Sequence, residues 1–424
     1  MALRIGIVAP AAIGHLNPMA ALALELVRRG HTVVVFTVAD GVRRLRGLPF
    51  ELVALGATSF PAGSVDDAYR TLGRLSGLAG LRFTVDYLRD EQAMLHAELP
   101  EACTAAGIEL LLVDQVTPAG ATVAERLGLP FVTVANALPV NREAAVPPYF
   151  TGWLPGPGIW TRWRNQLGNA LLDRWTAPIW TDLLHQRSRW GLPPLQRREQ
   201  LHSPLLQLSQ LPRGFDFPRR RLAGVFEYVG PLADPSGREP LLREAPAFPW
   251  ERIDGRPLIY ASLGTLQNGR PELFARIAAA CAPLEAQLVI SIGQPGATPP
   301  VLAGDPLVVA YAPQQQLIER AALVITHAGL NTTLTALACG VPLLAIPITN
   351  EQPGIAARLR YCGAGRVLPL RRAGERRLRA QVSRLLEDGG CRARARRLQA
   401  EIIAAGGVRR AVDLIEACRL ERGG

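Results

Sequence analysis

Short β-branched apolar runs alternate with helical stretches along this chain, and at residue 258 the alternation begins afresh. Residues 4–9 read as a buried strand, followed by a Gly/Pro-marked loop and a helix from about Pro18 to Arg29. Further strands are expected at 32–36, 50–53, 108–113 and 131–134, with a helix over 119–127. The second series runs through 258–262, 287–291, 307–310, 323–326 and 343–346, again with helices between. Continuous apolar strands joined by helices are the mark of a parallel, doubly wound sheet covered on both faces. The chain therefore reads as α/β, with two Rossmann-like domains facing a cleft. Its 424 residues suit two domains of roughly 100–200 residues each. The expected division is an N-terminal domain over 1–230, a Pro-, Gly- and charge-rich linker over 231–250, and a C-terminal domain over 251–405. The Arg-laced helices of 373–422 close the structure, the last of them (406–424) packing back toward the first domain.

Composition removes several function classes. At 48% hydrophobic and 20% charged residues, the chain is not a disordered tail. No apolar run reaches the roughly 20 residues that span a bilayer. Gly14-His15-Leu16-Asn17-Pro18 interrupts the apolar N-terminus before a signal-peptide core could form. The six Cys (103, 281, 339, 362, 391, 418) are scattered without metal-ligand spacing, as in reduced, cytoplasmic proteins. The net charge is +11 and all 47 basic residues are Arg, which favours anionic partners such as nucleotide phosphates or a membrane surface. No nucleic-acid-binding module is recognisable, so nucleic acid is not an expected partner. The Arg runs at 219–221, 371–372 and 392–397 read as solvated helix faces.

In doubly wound sheets, ligands bind beyond the carboxyl ends of the strands, where strand four neighbours strand one. In the second half this pairs Ser262-Leu263-Gly264-Thr265 with Thr326-His327-Ala328-Gly329-Leu330-Asn331-Thr332-Thr333. The latter opens a helix whose free N–H groups form an anion site, and Gly329 permits close approach. Asn331, Thr332 and His327 add side-chain donors. Either loop alone is an ordinary capped turn; two at one switch point fit a diphosphate. No Asp-rich metal motif accompanies them, so helix dipole, hydroxyls and His327 would carry the leaving group.

In the first half the switch point joins the loop after strand one, holding His15, to Asp114 at the end of strand four. A His held by a carboxylate is a general base poised near neutral pH. Such a pair could take the proton from an acceptor hydroxyl.

Residues 311–352 resemble the nucleotide-sugar signature of family 1 glycosyltransferases, inverting enzymes of the two-domain GT-B fold. The matching pieces are Tyr311-Ala312-Pro313-Gln314, His327 to Thr332, and Pro347 followed by Glu351-Gln352. His15 and Asp114 match the family's catalytic pair. Within the family the bacterial zeaxanthin (carotenoid) glucosyltransferases are the most similar branch, through 136–143, 248–252 and 352–358. The resemblance implies that Tyr311 stacks on the nucleobase and that the Ala312 backbone reads its edge. His327, Gly329, Asn331 and Thr332 would hold the diphosphate, with Gln314 and Leu330 also in the donor site, while Glu351 and Gln352 would bond sugar hydroxyls. Two positions depart from the pattern. Tyr311 stands where the family usually has Trp, and Thr335 where it has a carboxylate for the ribose. A Thr makes neutral hydrogen bonds where a carboxylate accepts two charge-assisted ones, so either the ribose contact is weaker or the nucleotide is not UDP.

The expected reaction is transfer of a sugar, glucose from UDP-glucose as co-substrate, to a hydroxyl of a lipophilic molecule, without metal or other cofactor. Other natural-product acceptors (polyketide, flavonoid, sterol) remain open, as do a sugar-nucleotide epimerase and a non-catalytic sugar-nucleotide-binding protein. The acceptor pocket is assigned to Gly14, Asn136, Trp153 and Trp160. Six of the seven Trp fall within 153–190, alternating with Arg. Such helices can line an apolar channel, pack between domains, or rest in a lipid headgroup layer. The last would make a cytoplasmic protein peripheral to the membrane.

Overall fold

The computed structural model describes residues 2–75, 77–234, 248–264, 270–293 and 300–420. Part of the expected linker (235–247) and Thr265 lie outside them. The first domain runs β1 (Arg4–Val8), α1 (Ile13–Arg28), β2 (Thr32–Val38), α2 (Ala39–Leu45), β3 (Glu51–Leu55), α3 (Ser64–Arg74) and α4 (Gly77–Ala105). It continues with β4 (Leu110–Asp114), α5 (Pro118–Leu127), β5 (Phe131–Ala135), α6 (Ile159–Trp175), α7 (Ala177–Arg189), β6 (Gln207–Ser209) and β7 (Phe226–Tyr228). The second contains β8 (Leu258–Ser262), α8 (Pro271–Cys281), β9 (Gln287–Ser291), β10 (Leu307–Val309), α9 (Gln314–Arg320), β11 (Ala321–Thr326) and α10 (Leu330–Ala338). After it come β12 (Leu343–Ala345), α11 (Gln352–Cys362), β13 (Gly365–Val367), α12 (Glu375–Glu387), α13 (Gly389–Ala405) and α14 (Gly407–Leu420).

The strand orders are β3-β2-β1-β4-β5-β6-β7 and β10-β9-β8-β11-β12-β13, and every pairing is parallel. β1 pairs with β4, and β8 with β11, so each half has its switch point beside its first strand. The central strands are buried throughout, which their Val/Ile/Leu content requires when helices cover both faces.

α14 returns to the first domain. Val408, Ala411, Val412 and Ile415 join the core that holds Leu22 and Leu26. Arg29 bonds Asp413 (2.6 Å) and Glu416 (2.9 Å). His31 accepts the Leu3 N–H at Nδ1 (3.1 Å), so its Nε2 donates to Glu416 (3.0 Å).

Two contacts fix the domains against one another. Gly354, in the first turn of α11, abuts the Tyr149 carbonyl so closely that a β-carbon there would stand 1.8 Å from the oxygen. Beside it Arg358 reaches the Asp216 carboxylate (2.8 Å), which also takes Arg219 (2.6 Å) and the Tyr228 hydroxyl (2.9 Å). The two guanidinium groups hold the Asp216 carboxyl down at about 2 against the upward push of burial. Arg219 is thus not on a solvated helix face: it lies in an irregular segment with its side chain 2% exposed. A burial pattern read along the chain could not place it, because its guanidinium meets Asp216 and the carbonyls of Pro139 and Asn141, which a loop some 80 positions earlier in the same domain brings to it.

Candidate active site

α1 begins at Ile13, five residues before the expected start, so His15 stands in the first helical turn and not in a loop. Pro18 marks a helix start in sequence, yet here it lies inside the helix. Its missing N–H would have bonded the carbonyl of Gly14, four residues earlier. That carbonyl instead accepts the Asn331 amide from the other domain (3.0 Å).

His15 Nδ1 lies 2.7 Å from Asp114 Oδ2 at the end of β4. Asp114 is completely buried. Its Oδ1 accepts the Val116 N–H (3.0 Å), and its Oδ2 also accepts the Asn136 amide (2.7 Å). A carboxylate so surrounded by donors is an acceptor, hence Nδ1 of His15 carries a proton and Nε2 is the nitrogen left for chemistry. Burial works against a charged imidazole. The attraction and hydrogen bond of Asp114, with Glu351 and Glu91 adding to it, outweigh burial and raise His15 to about 9. The base is stronger than the near-neutral one expected, because three carboxylates surround the ring rather than one. Glu91, from α4, is pushed up to about 7 by burial, with His15 opposing and Asp114 assisting the shift.

Across the cleft, Ser262 and Thr326 are register partners at the ends of β8 and β11. The His327 ring sits between the glycines of the two loops. A β-carbon would come within 2.7 Å of His327 Cε1 if placed on Gly264, and within 2.6 Å if placed on Gly329. Ala328 adopts a left-handed φ of 68° to make this turn, a conformation costing a residue with a β-carbon roughly 1–2 kcal/mol. Burial drives His327 down to about 4, with a hydrogen bond to the Ser262 backbone offsetting part of this. The ring is therefore neutral, a hydrogen-bonding group rather than a cation. Gln314 accepts the Thr332 hydroxyl (3.0 Å), which ties the Tyr311-Ala312-Pro313-Gln314 loop to α10. Ala312 and Leu330 are buried against the second domain's core.

Several expected donor residues are otherwise engaged. The Asn331 carbonyl oxygen accepts from Gln210 (3.3 Å) while its amide reaches Gly14. Thr335 donates to the Asn331 backbone carbonyl (2.9 Å), one turn back in α10. Gln352 Oε1 accepts the N–H groups of Ile348 (2.8 Å) and Thr349 (2.9 Å), leaving only its amino group to reach a ligand. Glu351 faces the dyad, its Oε2 3.4 Å from the Leu138 N–H. Burial pushes its carboxyl up, and His15 pulls it down.

A cavity of about 210 Å³ opens at Asp114. Its walls include Glu91 and Gln92 of α4, Tyr149, Leu172 of α6, and Ile179 and Trp180 of α7. The expected acceptor residues are not its lining. Asn136 braces Asp114, and Gly14 is held by Asn331. Trp153 packs on Gly168 and beneath the Arg164 guanidinium, 4.7 Å from the ring centre. Trp160 points outward. Helix phase explains the difference: Leu172 and Trp160 stand about a third of a turn apart around α6, and sequence proximity cannot tell which face turns inward.

Residues 81–400 match the family described as UDP-glucoronosyl and UDP-glucosyl transferase. The chain belongs to this family. The zeaxanthin glucosyltransferase of Pseudescherichia vulneris is 38% identical over 418 residues, covering 97% of this chain and 96% of that protein. Its namesake from Pantoea ananas is 34% identical, covering 96% and 94%. The solved structure of the calicheamicin glycosyltransferase CalG4 superposes with a TM-score of 0.75 at 24% identity, covering both chains completely. The two-domain arrangement is GT-B, and the protein is a glycosyltransferase.

Some residues of this glycosyltransferase site carry no sequence signal. Glu91 lies inside a long helix with no motif around it. Gln210 donates to the Asn136 carbonyl (2.5 Å) as well as to Asn331, completing a polar path from His15 through Asp114, Asn136 and Gln210 to Asn331. Only the tertiary fold joins these five positions.

Proposed function

We propose that this glycosyltransferase moves glucose from UDP-glucose to a hydroxyl of a lipophilic, carotenoid-like molecule, with inversion at the anomeric carbon. The observation that carries the reading is the His15–Asp114 dyad standing opposite the Gly264/His327/Gly329 cradle, with an apolar-walled cavity opening at Asp114. The acceptor class rests on the full-length similarity to two zeaxanthin glucosyltransferases.

In this mechanism Nε2 of His15 takes the acceptor's hydroxyl proton as its oxygen attacks the anomeric carbon from the face opposite the diphosphate. An α-linked donor then gives a β-linked glycoside. Asp114 stabilises the imidazolium that forms, and general-base catalysis by such a His contributes about 10²–10⁴-fold. The diphosphate leaves toward the N-terminus of α10, where backbone N–H groups and the helix dipole receive its charge. The neutral His327 stands beside it as a hydrogen-bonding group, not a positive charge. Tyr311 stacks on the base, Glu351 bonds sugar hydroxyls, and no metal or other cofactor takes part. Closure of the cleft excludes water that would otherwise hydrolyse the donor. The protein is cytoplasmic in this reading, and the acceptor's chemistry brings it to the inner face of a membrane.

Two measurements test the proposal. A thermal-shift series with nucleoside diphosphates should place UDP first; a larger shift with another base reassigns the donor. Incubation with UDP-glucose and a hydroxylated carotenoid should yield a product heavier by one hexose, β-linked by its anomeric proton coupling. Donor turnover without any acceptor would contradict transfer.

A further inference from the structure

Five of the ten large apolar side chains that stand exposed among the described residues lie on one helix, α6: Ile159, Trp160, Trp163, Leu167 and Leu171. From Trp160 onward the spacing is three or four residues, so they form a single stripe along the helix. Trp160 is 83%, Trp163 66% and Leu167 69% exposed. A protein that keeps such a stripe in water loses the free energy of burying it, and contiguous exposed apolar patches mark interaction surfaces.

The exposed charges of the helix have one sign, and Arg174 is in phase with the stripe. Arg162 and Arg174 are exposed on α6. The helix has one acid, Asp173, whose carboxylate is held by both Arg142 (2.6 and 2.8 Å) and Arg198 (2.9 Å). We infer that this face of α6 is a docking surface for a bilayer carrying anionic lipid headgroups, with the Trp and Leu side chains entering the interface and the arginines meeting the headgroups. Trp is the residue best suited to that boundary, its ring apolar and its N–H wet. A second copy of this chain fits the surface poorly, since a two-fold contact would set arginine against arginine in a protein of net charge +11.

The position of the helix gives the docking a purpose, and this purpose rests on the reading of the acceptor as lipophilic. The inward face of α6 contributes Leu172 to the cavity at Asp114. The outward stripe and the cavity are separated by one helix, a thickness of about 10–12 Å. A hydroxylated lipid in the bilayer surface would need to travel only that far to reach the dyad.

The test uses the full chain with neither donor nor acceptor. It is mixed with vesicles of phosphatidylcholine, with and without phosphatidylglycerol, and sedimented. Binding should require phosphatidylglycerol, fall in high salt, and blue-shift the tryptophan fluorescence. The double variant Trp163→Ser/Leu167→Ser should bind about tenfold more weakly or worse. Arg174→Glu should cost about fivefold or more. All these side chains are exposed, so an unchanged thermal midpoint will show that the variants fold. Equal partitioning of wild type and variants would overturn the inference, as would equal binding to phosphatidylcholine alone. So would a concentration-dependent dimer, abolished by the same substitutions, in a protein that ignores vesicles. Failure of the acceptor reading would show separately, as absence of a glycosylated product with vesicle binding intact.

Discussion

The side-chain amide of Asn331 donates to the backbone carbonyl of Gly14 across the cleft, at 3.0 Å. The carbonyl is available because Pro18, four residues along α1, has no N–H to offer it. A helix defect in one domain thus becomes the acceptor for a residue at the N-terminus of α10 in the other, one residue from His15.

Pro18→Ala should separate these two roles. The new N–H would claim the Gly14 carbonyl for α1, and removing an interior proline favours the helix by up to about 3 kcal/mol. We expect a higher thermal midpoint together with a lower kcat/KM, since Asn331 loses its partner. A variant both more stable and fully active would show that the cross-cleft bond plays no part in turnover.

His15 should set the pH profile. Its folded-state value lies near 9, raised above the usual 6.5 by Asp114 against the opposing effect of burial. A base must be unprotonated to act, so kcat/KM of the free enzyme should climb through the alkaline range with its midpoint near pH 9. Asp114→Asn should move that midpoint downward while lowering the plateau. His15→Ala should reduce turnover about 10²–10⁴-fold and leave UDP binding nearly unchanged. Stability follows the opposite course: the charged imidazole stabilises the fold fully below about pH 6.5, and this is lost as pH rises through 9. A rate independent of pH between 6.5 and 9 would remove His15 as the base.

Glu91 carries a raised carboxyl, near 7, so its protonated form is the one the fold favours. Its contribution is complete below the unfolded value of about 4.3 and is lost as pH rises through 7. Glu91→Gln, which cannot ionise, should therefore gain stability relative to the parent at pH 8 and show little difference at pH 4.5. Thermal melts at the two pH values decide the point. The same variant should lower the alkaline midpoint of the His15 profile, because one of the three surrounding carboxylates is gone.

Asp216 is held near 2 by Arg358 and Arg219 against burial. A depressed carboxyl stabilises the fold above its unfolded value, about 3.9, and that stabilisation disappears as pH falls through 2. Asp216→Asn would leave two buried guanidinium groups without their carboxylate, a loss of about 3–5 kcal/mol. Chemical denaturation at neutral pH measures it. A change under 1 kcal/mol would mean that water or neighbouring carbonyls replace the carboxylate at little cost.

Gly329→Ala probes the cradle sterically, because the φ of −64° at Gly329 suits any residue. The added methyl would overlap the His327 ring. Overpacking of this sort costs about 1–3 kcal/mol, and displacement of the ring should weaken diphosphate binding. Calorimetric titration with UDP would show it; unaltered affinity would place the diphosphate elsewhere.

Much of the site can be read from residue order because strands and their following loops are local objects. Leu258–Ser262 and Ala321–Thr326 announce themselves as buried strands, and a parallel sheet leaves few places for the loops that follow. The switch-point rule then brings together His15 and Asp114, 99 positions apart. By contrast, helix α4 carries Pro100 inside it and a weak apolar pattern, so neither the helix nor the orientation of Glu91 is legible.

What the residue order determined, then, is the pair of sheets, their switch points, and the types of side chain standing at each strand end. What tertiary structure alone decided is how those side chains behave: that His15 is a strong base and His327 a neutral ring, that Asn331 spans the cleft, that Arg219 is buried and Trp160 is not. The physical reason is the range of the forces. Burial periodicity and backbone propensity act over a few residues, whereas a proton's affinity and a helix's inward face depend on neighbours contributed from anywhere along the chain.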